Sequence, residues 1–198
     1  MPFLFYISNL FVFKIKKCYY IYIKRKSAKL KNNITFICVV NSFGRYIAKA
    51  VAEKLDLYYA DINDFLDFSM ATTAQEVINL CGPEYLAKLE QEAVNTVASF
   101  ENTIISVETR FFMSAGSRHS LKDGSMVVYL KMDRKVYDKY VDSIKDEDKK
   151  QELENIKTVF DEYDAMCSRS CDITIELKDL NEKATTKKAL KLINNYFK

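Results

Sequence analysis

The side chains of this 198-residue chain that could do chemistry are few and scattered. Its one histidine, His119, sits in a polar stretch at 114–120 beside no residue that would orient it as a base, the pattern of a surface imidazole. The five cysteines (Cys18, Cys38, Cys81, Cys167 and Cys171) are odd in number and widely spaced, so they read as reduced thiols of a cytoplasmic protein. Cys167 and Cys171 lie four apart with the histidine far away, too small a donor set for zinc, and no metal site is expected. Arg45 says more. It follows an apolar run and a turn of Asn41, Ser42 and Gly44, where a helical pattern begins, and a cation there opposes the helix macrodipole unless an anion or carboxylate is close.

The elements that must hold these groups are legible from hydrophobic spacing. Residues 34–40 (ITFICVV) form a continuous apolar, β-branched run, the signature of a strand buried on both faces. Ile47, Ala48, Val51, Ala52 and Leu55 then recur at helical spacing. Short strands are expected at 57–60, 103–107, 126–130 and 172–177, and helices over 84–100 and from Ala184 to Phe197. Residues 145–164 are dense in charge with Leu153, Ile156, Val159 and Phe160 interleaved, as in a solvated helix with one apolar stripe. Strands alternating with helices predict a three-layer α/β/α fold around an open, mainly parallel five-stranded sheet, with ligands beyond the carboxyl ends of its strands.

Composition narrows the function classes. With 48% apolar residues the chain can bury a core, and one domain is expected over 34–198. The net charge of +3 is unevenly spread, because the eight Lys and Arg of residues 1–33 face no acid, leaving 22 basic against 27 acidic residues in the body. An acidic body with a basic arm argues against nucleic acid as a partner. The apolar runs of that arm, 3–13 and 18–23, are each too short to cross a bilayer. Residues 1–33 therefore read as a disordered arm or a mis-called start near Leu30. The alternative is an interfacial membrane contact through residues 1–30, with lysines on anionic lipid.

Over residues 34–195 the chain resembles the shikimate kinase family. The strings that carry the resemblance are ITFICVVNSFGRYIAKAVAEKLDLYYADIND, GPEYLAKLEQEAVNTVASFENTIIS, SLKDGSMVVYLKMD and CDITIEL, in the family's order and at its separations. The resemblance implies a P-loop kinase-like fold in which Gly44, Arg45 and Tyr46 take the final Gly, the Lys and the hydroxyl position of the phosphate loop, and are the candidates for binding nucleotide or another anion. It further places Asp61, Asn63, Glu90, Glu108 and Arg110 around the substrate pocket, with Asp61 the one candidate catalytic group.

The same resemblance exposes what has changed. The first phosphate-loop glycine becomes Cys38 or Val39, and Tyr46 is a poor substitute for a short hydroxyl on magnesium. Asn63 replaces the second acid of the family's Asp-x-Asp, Leu86-Ala87 replaces the Phe-Arg substrate clamp, and Glu108-Thr109-Arg110 replaces a triple glycine. Residues 143–166, where the family's lid carries an arginine, contain none. Loss of a transition-state arginine costs phosphoryl transfer on the order of 10³ to 10⁵ in rate. Four glycines stand where average usage of about 7% would give about fourteen. The expectation is a shikimate kinase-like domain that binds a metabolite or a protein partner without catalysis, with Arg45 pairing Asp61 or Glu108 in the vacated pocket. The alternative is an active divergent kinase that uses Arg45 on phosphate and Asp61 on magnesium or as base. ATP and Mg would be cofactors only if the altered loop still takes nucleotide.

Overall fold

A computed structural model describes residues 33–196. Its five strands are β1 (Asn33–Cys38), β2 (Tyr58–Asp61), β3 (Thr103–Glu108), β4 (Ser125–Met132) and β5 (Ile173–Leu177), in the spatial order β2-β3-β1-β4-β5 with every pairing parallel. The most uniformly apolar runs take the middle: all six residues of β1 are buried, as are the first five of β3 and all but Lys131 of β4. The short β2 and the alternating β5 lie at the edges, where one face or end meets water. Asn33, the first residue of β1, ties the sheet's amino edge together. Its Nδ2 donates to the carbonyls of Ala98 and Phe100, and its Oδ1 accepts the Thr103 N–H at 3.0 Å.

Nine helices fill the connections among the described residues: α1 (Asn41–Leu55), α2 (Ile62–Met70), α3 (Ala74–Cys81), α4 (Pro83–Ala98), α5 (Thr109–Met113), α6 (Ala115–Gly124), α7 (Arg134–Ser143), α8 (Glu147–Ser170) and α9 (Glu182–Tyr196). On one face of the sheet, Phe43, Ile47, Ala48 and Val51 of α1 share a core with Ala189 and Ile193 of α9, Tyr137 and Val141 of α7, and Leu153 and Phe160 of α8. On the other, Ile62 and Leu66 of α2, Ala93, Val94 and Val97 of α4, Phe111 and Phe112 of α5 and Leu121 of α6 cover Ile37, Ile105, Val107, Val127 and Tyr129. This is the three-layer α/β/α sandwich expected, with an all-parallel sheet.

Two local expectations are corrected. Residues 39–40 are not strand, and Asn41 to Gly44 are not a turn but the first turn of α1, closed by the Gly44 N–H to the Val40 carbonyl at 3.1 Å. His119 lies on α6 and is exposed there, as the surface imidazole expected. The arm expected over residues 1–33, with its membrane contact, falls outside the described residues except for Asn33. Among the described residues no helix is long and apolar enough to cross a membrane, and no cluster of three or more His, Cys, Asp or Glu is set to hold a metal ion.

Candidate functional site

The helices after β1 and β3 leave to opposite faces of the sheet, so the crevice between the carboxyl ends of these neighbouring strands is the fold's switch point. Only Val39 and Val40 separate β1 from α1. Both are buried and share an apolar cluster with Phe43, Tyr137, Leu153 and Phe160. Beneath them the Cys38 side chain is tucked under the start of α1, close to the backbone N–H groups of Val40 and Gly44. Burial pushes this thiol up to about 12 in spite of those two donors, so it stays neutral. The packing is tight enough that a Cβ on Gly44 would stand 2.8 Å from the Cys38 Cβ.

Arg45, one residue further, turns toward β2. Its Nε lies 3.4 Å from Asp61 Oδ2, and its Nη2 donates to both carboxylate oxygens of Asp64, at 2.6 and 2.7 Å. Asp61 ends β2 and is also the N-cap of α2: its Oδ1 accepts the N–H of Asn63 at 3.0 Å and of Asp64 at 3.2 Å. Burial raises the Asp61 carboxyl above its ordinary range, while the Asp64 N–H and the Arg45 guanidinium pull it back. Tyr46 is half exposed on the outer side of α1, and its phenol meets Glu182 of α9 instead of the crevice.

A second network closes the end of β3. Glu108 Oε2 accepts from Asn63 Nδ2 at 3.1 Å and from Arg110 Nε at 3.0 Å. Arg110 Nη2 donates to Asn63 Oδ1 at 3.2 Å, its Nη1 bonds Glu90 of α4, and its guanidinium carbon stands 4.0 Å from the Phe111 ring centre. Each of the three guanidinium nitrogens thus has a partner. The structure brings Asp61, Asn63, Glu90, Glu108 and Arg110 into one chain of contacts and Arg45 onto its flank, and leaves Tyr46 outside.

Sequence reasoning missed three contributors. Asp64, the strongest partner of Arg45, was hidden because its role depends on α2 turning it back over α1. Cys38 was seen only as a lost glycine, although a small side chain facing a glycine six residues on is the visible sign of close approach. The third is α8, which lays Glu152, Asn155, Ile156, Val159 and Tyr163 over Val39, Glu108, Thr109 and Arg110 and encloses a cavity of about 310 Å³. That spacing is helical and marks a second stripe beside the buried Leu153 and Phe160.

The sheet order, the two helical layers and the charged crevice at the switch point define a kinase-like α/β protein. The shikimate kinase family model matches residues 45–194, starting within α1, and the chain belongs to that family. Among curated relatives, shikimate kinase of Sulfurihydrogenibium sp. is 23% identical over 134 residues, covering 66% of this chain and 79% of its own. That of Alkaliphilus oremlandii is 26% identical over 84 residues, a match covering 42% of this chain and spanning only half the relative's length. Of solved structures, shikimate kinase from Bacteroides thetaiotaomicron superposes with a TM-score of 0.68 at 16% identity, covering 82% of this chain and 98% of that one. The Acinetobacter baumannii shikimate kinase in complex with shikimate gives 0.65 at 19%, covering 83% and 94%. At these identities the superpositions establish the fold.

The fold family implies ATP with magnesium, and the residues at the two places that would hold them are not the usual ones. A phosphate cradle uses backbone N–H groups at the start of a helix; here the buried side chains of Val39 and Val40 lead into α1, and the Gly44 N–H closes its first turn on the Val40 carbonyl. Magnesium needs a short hydroxyl or a free carboxylate, whereas Tyr46 faces Glu182 and Asp61 faces Arg45.

Proposed function

We propose that this chain is a catalytically silent member of the shikimate kinase family, a binding domain whose ligand, a small metabolite or a segment of a partner protein, sits at the carboxyl edge of the sheet. The observation that carries this reading is the filled start of α1. With the side chains of Val39 and Val40 buried and these two residues alone joining β1 to α1, there is no glycine-rich loop to wrap a β-phosphate. Two further observations support it. Arg45 and Arg110, the cations that would meet phosphate or the carboxylate of shikimate, are each engaged by two carboxylates. Among the described residues, moreover, no buried side-chain nitrogen or oxygen lacks a hydrogen-bond partner, so the site is self-sufficient as it stands. The cysteines described are free and suit the reducing cytoplasm.

Thermal unfolding and ADP release measured on the full chain with millimolar ATP, magnesium and shikimate test the reading. A ligand that binds only the folded state must raise its stability by mass action, by about 2.7 kcal/mol at a hundred times Kd. No shift and no turnover are expected. An active divergent kinase is the second reading, favoured by one fact, that Arg110 lies on the wall of an open cavity. ADP release that depends on an acceptor and disappears in Arg45→Ala would establish that reading and end the first.

A further inference from the structure

We infer that the cavity between α8 and the ends of β1 and β3 takes a small amphipathic ligand carrying a cationic amine, the reverse of the anions the family's phosphate and carboxylate chemistry would bring. The inference rests on the reading that phosphoryl transfer has been lost. Of its charged wall residues, Glu108 and Glu152 are acidic and Arg110 is basic. Arg110 is already neutralised toward an incoming anion, because the carboxylates of Glu90 and Glu108 pair with it and Asn63 takes its third nitrogen.

Glu108 is different. Both of its bonds fall on Oε2, so Oε1 keeps its lone pairs. Glu152, on the opposite wall, has no ion-pair or hydrogen-bond partner among the described residues. The cavity wall thus carries two carboxylates, Glu108 and Glu152, against the single guanidinium of Arg110, which is itself paired by Glu90 and Glu108. In a partly enclosed space of lowered dielectric this imbalance repels a phosphate or carboxylate and attracts an ammonium group. The rest of the wall, Val39, Ile156, Val159 and the Tyr163 ring, is apolar and suits the body of a compact molecule. A volume of about 310 Å³ stands at the low end of small-ligand sites.

Two probes of the same shape and opposite charge, tyramine and 4-hydroxyphenylacetate, test this by calorimetric titration of the full chain at low salt, with shikimate and ATP run alongside. Tyramine should bind about tenfold tighter than the carboxylate, the discrimination expected of one half-screened charge contact. Glu152→Lys, on an exposed position of α8, should leave the Tm in place and abolish that preference. Glu108→Gln should weaken tyramine while keeping an acceptor for Asn63 and Arg110. Equal or tighter binding of the carboxylate, no binding of either probe up to millimolar, or tyramine binding indifferent to both substitutions would each overturn the inference. Acceptor-dependent ADP release in the same samples would overturn the loss of phosphoryl transfer as well, saturable binding of shikimate at this cavity would overturn the preference for an amine, and failure of tyramine alone leaves the loss of phosphoryl transfer standing.

Discussion

At the scale of single residues the crevice is governed by what is buried beside what. Cys38 lies close to the N–H groups of Val40 and Gly44, an arrangement that ordinarily favours thiolate, and yet burial holds it at about 12. At pH 8 it should therefore resist iodoacetamide until the protein unfolds, while the exposed Cys81 is modified at once. Site-resolved mass spectrometry of a labelling time course measures both, and comparable rates at the two positions would contradict the burial argument. Asp61 offers a pH test whose sign follows from its environment. Burial raises its carboxyl in the folded state, so the fold holds that proton more tightly than the unfolded chain does. The stability this group contributes is full below the ordinary value of 3.8 and is lost as pH rises through the higher folded-state value. Asp61→Asn keeps a competent N-cap for α2 and removes the titration. The Tm of the variant relative to the parent should climb as pH is raised from 3.8, and a flat difference would show that the Arg45 pair compensates in full. Aspartate and arginine were readable in the sequence as site candidates. Their pairing was not, since Arg45 and Asp64 are 19 residues apart and meet only because α1 and α2 flank the same strand end.

At the scale of elements, α1 shows how a glycine can be kept for distance rather than for conformation. Alanine at 44 would gain about 1 kcal/mol of helix propensity. Its Cβ would meet the Cys38 Cβ at 2.8 Å, and neither atom can move without the backbone that carries it. Overpacking of this kind costs about 1 to 3 kcal/mol, so Gly44→Ala should lower the Tm. Adding Cys38→Ala should not restore it, because the obstructing atom remains; recovery in the double variant would assign the clash to the sulfur. The charged stretch read as a solvated helix is α8, and Leu153 and Phe160 are its buried stripe. Phe160 packs on Tyr137 with ring centres 5.0 Å apart, so Phe160→Ala should cost about 3 to 5 kcal/mol. For a chain of this length each kcal/mol is a Tm shift of about 2 to 4 °C in a calorimetric scan. The short helices α2, α3, α5, α6 and α7 escaped the sequence reading. With five to ten residues each, they give too few turns for a periodic signal, and they form because caps such as Asp61, Thr73 and Asp133 and the neighbouring sheet hold them.

At the scale of the whole molecule two cores share one sheet, and β1, β3 and β4 contribute side chains to both. Disturbance of either face must be felt through the same strands, so the domain should unfold in a single transition by far-ultraviolet circular dichroism and by tyrosine fluorescence alike. Phe112 and Phe160 belong to different cores, on opposite faces of the sheet. Their alanine variants should therefore add to within about 0.5 kcal/mol in urea titrations, and a larger coupling would mean that the sheet transmits strain between its faces. Separate transitions by the two probes would instead mean that one layer can melt alone. The same architecture is compatible with the loss of the phosphate loop that we propose. The apolar contacts that stabilise the fold lie along the strands and helix faces, away from the strand ends where a ligand would touch backbone.

The sequence by itself determined the sheet, its parallel strands and the family, because a strand buried on both faces is written as an unbroken apolar run and an amphipathic helix as a 3.6-residue period. Both signals are local, and they stand in the family's order along 34–195. Tertiary structure alone decided the state of the crevice: Arg45 on Asp61 and Asp64, Arg110 held by Glu90, Glu108 and Asn63, the Cys38 sulfur under α1, and α8 closing a cavity over the ends of β1 and β3. These are contacts between side chains far apart in the chain, set by how strand ends and helix starts converge in space. No periodicity records that convergence, since a charge carries no mark in the sequence of which partner it will meet.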